Sequence, residues 1–225
     1  MGAQNMTGMG HISRLLVAVL SLTILPKASV ASAAQDVDLA NLIDRYCIVP
    51  DGDHRQTWVR ATDDGFSVLP PEDFEGLDAR GVHDDTLRGF TRTIGPTEYR
   101  VLTASTWLRR PDQGTSYFRL CWVSSSLENA SDVDSKLAAM ASNGGFRIGK
   151  VRVFAWIPLP DGASEPVTRR TFMRSSNELA RDQGMRQIIS RRFERGMFVG
   201  YVSPRSEEDY RGFDWMGPPP IARPN

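Results

Sequence analysis

Two short stretches bring imidazole and carboxylate side chains together: Asp51-Gly52-Asp53-His54 and His83-Asp84-Asp85. An imidazole nitrogen beside several carboxylate oxygens is a ligand set for a divalent cation. Such an ion makes a bound water nucleophilic near neutral pH. The chemistry would be metal-assisted hydrolysis carried by His54, His83 and the neighbouring aspartates. The spacing matches no compact ligand pattern such as H-E-x-x-H, and each piece has a plainer reading. Asp51 and Asp53 suit a turn and a helix N-cap, and His83 suits a polar loop. The plainer reading is preferred, so no metal or cofactor is assigned and the hydrolase stands as the alternative.

A second group is cationic. Arg169, Arg170 and Arg174 are followed by Arg191, Arg192 and Arg195. On strands, Arg170 would share a face with Arg174, and Arg191 with Arg195. Two such strands side by side would line a groove for a carboxylate or phosphate, which a guanidinium holds through paired N–H bonds. Glu178, Asp182 and Glu194 are near enough in sequence to neutralise the row instead. A solvated face neutralised in that way is the preferred reading, and Arg170, Arg174, Arg191 and Arg195 are the candidate contacts for a small anionic ligand.

Nothing else in the sequence has a catalytic pattern: no G-x-S-x-G elbow, P-loop, dinucleotide fingerprint or EF-hand loop is present. The two cysteines, Cys47 and Cys121, are too far apart in sequence for a redox-active C-x-x-C pair. In an oxidising compartment they would form one structural disulfide.

The compartment is indicated by the N-terminal region. The apolar run over 15–25 would rise only about 16 Å as a helix, about half of what a bilayer core requires. Arg14 precedes it, no acid occurs before Asp36, and Pro26 ends it ahead of small residues closing on Ala31-Ser32-Ala33-Ala34. That pattern predicts a secretory signal peptide over 1–34 with cleavage after Ala33 or Ala34. The product would be exported, periplasmic or secreted, with no membrane insertion after leader removal. The whole chain has 27 basic and 27 acidic residues. The leader holds Arg14 and Lys27 but no acid, so the remainder is slightly acidic. Such a balance argues against nucleic acid as a partner.

These side chains need elements to position them. Apolar periodicity predicts a first helix over 36–47 and a second over 53–63, closed by Gly65 in a left-handed conformation. From 87 the period becomes two, predicting strands over 87–94, 98–108 and 115–124, the last two joined by a P-D-Q-G turn. A third helix follows over 131–141, then a strand over 151–157 and another over 167–173. The stretch 177–193 allows helix or strand, with strand favoured after Gly184 and paired with 197–202. The segment 206–225, rich in proline and aromatics, reads as a tail.

The expected fold is one α+β domain over 35–205. It has two N-terminal helices, an antiparallel sheet, one helix inserted between strands, and the disulfide joining helix to sheet. The expected function is a non-catalytic binding domain of the envelope or extracellular space, its partner another protein or a small anionic ligand.

Overall fold

A computed structural model describes residues 38–74, 87–110, 114–126, 130–194 and 196–213. All lie in the compact unit Asp36–Asn225. The predicted leader with Ala33 and Ala34, the His83 loop, Arg195 and the end of the tail lie outside the described residues.

The fold is α+β, and the sheet is antiparallel throughout. Its strands are β1 (Ser67–Val68), β2 (Arg88–Ile94), β3 (Thr97–Arg110), β4 (Gly114–Ser125), β5 (Phe146–Ile148), β6 (Val151–Pro158), β7 (Ser164–Pro166), β8 (Arg186–Phe193) and β9 (Gly196–Arg205). Their spatial order is β1-β2-β3-β4-β9-β8-β6-β5, with β7 also pairing with β6. The sheet is thus two meanders, each built from strands near in sequence. A single ladder joins them, with β4 beside β9 in a register that sets Cys121 opposite Tyr201 and Tyr117 opposite Arg205.

Alternation along β4 sends Cys121 and Val123 to one face, here called the front, and Phe118 and Leu120 to the back. Each group belongs to its own apolar core. The front is covered by α1 (Leu39–Ile43), its π-helical continuation over Asp44–Ile48, α2 (His54–Asp63) and α3 (Ala130–Met140). Leu39, Ile43, Tyr46, Trp58 and Leu137 fill this core. Asp38 caps α1 by accepting from the Asn41 amide at 2.8 Å, and Asp53 caps α2 by accepting from the Gln56 amide at 3.1 Å. Trp58 Nε1 donates to Thr103 Oγ1 at 2.8 Å, which ties α2 to β3.

The back is covered by α4 (Arg169–Gln183), whose Leu179 and Ala180 are buried and whose Phe172 ring lies 5.3 Å from that of Phe146. The sequence predicts strand over 167–173, and this differs. The β-branched content there is real, but Thr168 caps a helix by accepting from the Thr171 amide, and the stripe of Phe172, Leu179 and Ala180 has helical spacing. Two helices are therefore inserted between strands, where the sequence predicts one. After Gly184, whose φ of 66° ends α4, the favoured strand is present as β8. A short α5 (Glu207–Phe213) opens the predicted tail. Among the described residues no helix is long and apolar enough to cross a membrane.

Candidate functional site

The segment from Cys47 to His54 fixes the chemistry of the front face. Cys47 and Cys121 are joined in a disulfide, the one pairing that two cysteines allow, and it ties the end of the first helix to β4. The π-helical turn closes with the Val49 amide on the Asp44 carbonyl, and the Gly52 amide then bonds the Cys47 carbonyl at 2.8 Å. Asp51 and Gly52 both have positive φ, 50° and 70°. Aspartate tolerates that region better than most side chains, but Gly52 has a further constraint. A Cβ there would lie 2.6 Å from Ser203 Oγ and 3.2 Å from the Arg119 Cβ, so only glycine lets the turn rest on the sheet.

The turn delivers the Asp51 carboxylate to the second meander. Arg186 on β8 grips it in a bidentate pair, Nε to Oδ1 at 2.8 Å and Nη2 to Oδ2 at 2.7 Å. Tyr201 on β9 donates to the same carboxylate at 2.6 Å, and Ser203 donates to the Asp51 carbonyl at 3.0 Å. Burial alone would lower the Arg186 pKa, but hydrogen bonding and charge from Asp51 outweigh it and hold it raised. Burial, with the adjacent Asp51 charge, raises the Tyr201 pKa. Cys47 therefore binds the β4 side of the seam while Asp51 binds the β9 side.

His54, read from sequence as a metal-ligand candidate, begins α2 and is only 1% exposed. Burial pushes its pKa down to about 3, with the charges of Arg205 and Arg119 adding to the effect; a hydrogen bond to the Leu120 backbone and the charge of Asp53 oppose it. Two guanidiniums nearby repel any cation as they repel a proton, so this imidazole is a poor metal ligand. Its partner in the hydrolase reading, His83, lies outside the described residues. Among the described residues no group of three or more His, Cys, Asp or Glu side chains is placed to hold a metal.

The expected arginine array is not two facing strands. Arg170 and Arg174 are exposed on α4, four residues apart and hence on one helix face. Arg191 is on β8 with its guanidinium 4.9 Å from the Phe193 ring centre. Arg195 lies outside the described residues.

A different set of arginines converges at one end of the seam. There a cleft of about 540 Å³ opens between the start of β4, the end of β9, the C-terminal turn of α4 and the start of α5. Arg181, Arg186 and Arg205 line it, with Ser116, Glu207 and Asp209. Each cation is oriented by a neighbour. Arg181 pairs with Asp182 at 2.6 Å and Arg186 with Asp51, while Arg205 Nη1 donates to Ser105 Oγ at 2.9 Å. Hydrogen bonding to Asp182 raises the Arg181 pKa and depresses that of Asp182. Tyr117 also lines the cleft, and its ring packs 4.8 Å from that of Tyr210 on α5. Ser116 is buried and donates to the Asn177 carbonyl of α4 at 3.2 Å. Arg186 Nη1 also donates to the Gly184 carbonyl, and Arg205 Nε and Nη2 are buried.

Sequence reasoning singled out none of Arg181, Arg186, Arg205 and Ser116. One signal was present. On β9 the inward-facing series Val199, Tyr201, Ser203, Arg205 turns from apolar to polar toward one end, as does Val123, Cys121, Arg119 on the paired β4. Comparison with family models, with curated proteins and with solved structures finds no match to this chain.

Proposed function

We propose that this chain is an exported, non-catalytic binding domain that takes a small anionic ligand in the seam-end cleft. The observation that carries the reading is that Arg181 and Arg186 border one concavity of about 540 Å³, with the buried guanidinium of Arg205 behind it. Pockets of that order suit small-molecule ligands, and guanidiniums held by second partners are oriented before the ligand arrives. Export is supported by the leader pattern over 1–34 and by the disulfide, a bond that persists mainly in oxidising compartments. Both cysteines are committed to that bond, which removes a thiolate nucleophile from consideration.

The test is calorimetric titration with acetate, citrate and inorganic phosphate. Arg181→Glu reverses an exposed charge on the cleft and is expected to weaken binding of these anions at least tenfold. Arg170→Glu, on the outer surface of α4, is expected to leave it unchanged. Equal loss in both variants would return the site to the α4 surface, and no binding by the wild-type protein would end the anion reading.

A further inference from the structure

We infer that an ordered water molecule is built into the junction between α4 and the start of β4, held by the side-chain amide of Asn177 and the hydroxyl of Ser116. Asn177 is 1% exposed, yet among the described residues neither its Oδ1 nor its Nδ2 has a hydrogen-bond partner. A bare amide in that position has lost its bonds to solvent and gained none in exchange, a state that buried polar groups of folded proteins rarely keep. The two atoms differ in kind, since Oδ1 accepts and Nδ2 donates. A cation would satisfy only the oxygen and an anion only the nitrogen. Water both donates and accepts, and it is the small neutral group that serves both atoms.

Two further observations bring polar capacity and irregular backbone to the same point. Ser116, itself 2% exposed, donates its proton to the Asn177 carbonyl at 3.2 Å, which leaves lone pairs on its oxygen as acceptors close to Asn177. Two residues before Asn177, Ser175 departs from helical geometry with φ −133° and ψ 17°, so α4 is kinked there. Where proline is absent, helices kink at glycine or serine pairs and where a water enters the backbone ladder. Ser175-Ser176 is such a pair. The nearest side chains along each element offer no alternative partner. Phe118 follows Ser116 on its face of β4, and Ala180 lies one turn on from Asn177; both belong to the apolar back core. The water would add side-chain bonds between α4 and β4 to the direct Ser116 bond, at the point where Ser116 borders the cleft. It stands whether or not that cleft takes an anion.

The experiment uses the full chain. A high-resolution crystal structure is expected to show a density peak within hydrogen-bond distance of the Asn177 amide and of Ser116 Oγ. Oxygen-17 relaxation dispersion counts long-lived internal waters in solution, and Asn177→Leu is expected to hold fewer of them than the wild type. Leucine is close to asparagine in size, so the variant tests the bonds more than the packing. If water pairs the amide, this substitution is expected to lower Tm by at least about 2 °C. If the amide is bare, leucine relieves it and Tm rises, which would overturn the inference. An empty map at Asn177 would do the same, as would an amide bonded directly to protein groups or equal counts of long-lived water in the two proteins. Should the variant not fold, the map of the wild-type protein decides alone.

Discussion

At the scale of single residues, His54 is a buried base held neutral, and it makes stability depend on pH. Its folded pKa of about 3 lies below the ordinary 6.5 because burial and then Arg205 and Arg119 disfavour the imidazolium. Between these values the unfolded chain binds a proton that the folded chain does not. Stability is therefore full above pH 6.5 and declines as pH falls toward 3, by up to about 1.4 kcal/mol per pH unit from this group. His54→Gln cannot titrate, so the stability gap between wild type and variant is expected to narrow steadily from pH 7 to pH 4. Urea denaturation of both proteins across that range measures it, and parallel curves would show that His54 does not titrate on unfolding. The same residue shows where sequence reading fails. Next to Asp51 and Asp53 in sequence, His54 looks acid-flanked; in space its strongest charged neighbours are two arginines contributed by β4 and β9. Asp53, by contrast, is the N-cap that its position ahead of an apolar repeat predicts. Capping is a local interaction and legible, whereas the field around a buried imidazole is set by strands far along the chain.

At the scale of elements, the short stretch from Cys47 to Asp51 acts as a clamp across the seam between the two meanders. Its first residue is bonded to β4 and its last to Arg186 of β8 and Tyr201 of β9. Removing the disulfide by Cys47→Ala with Cys121→Ala is expected to cost about 2–5 kcal/mol. Asp51→Asn keeps a residue that accepts positive φ while removing the charge that Arg186 grips; with Asp51 half-exposed, about 1 kcal/mol is expected. If the two ends act together, the triple variant will depart from additivity by at least about 0.5 kcal/mol. Guanidinium denaturation of the four proteins decides this, and strict additivity would mean two unrelated contacts. The disulfide was legible because two cysteines allow one pairing, and the β3–β4 hairpin because alternation and turn residues agree. The strand predicted at the start of α4 fails for a physical reason. Its first residues are β-branched and cationic, and the apolar positions that define the helix, Leu179 and Ala180, lie in the half of the segment where the pattern is ambiguous.

At the scale of the whole molecule, the sheet depends on one non-local ladder. The meander β1–β4 and the meander formed by β5, β6, β7, β8 and β9 are each assembled from neighbours in sequence, and only β4 with β9 joins distant segments. A chain ending at Glu194 lacks β9 and is expected to show no cooperative unfolding. One ending at Ser206 keeps the sheet, loses α5 and is expected to unfold cooperatively. Near-ultraviolet circular dichroism with thermal melts separates the two, and a cooperative transition in the shorter chain would mean that one meander is stable alone. The α+β class and the antiparallel sheet were legible because they follow from periodicity. The order of strands was not, and the cleft follows from that order. Thr115, Ser116 and Tyr117 of β4 meet Arg181, Arg186 and Arg205 because β4 and β9 are neighbours, a fact that no local pattern encodes. The position of β9 also has a consequence in time. In a chain made from its N-terminus β4 is complete well before β9, so the ladder that joins the two meanders forms after the first of them can close. Until then β4 presents an open edge, which invites mispairing with other chains.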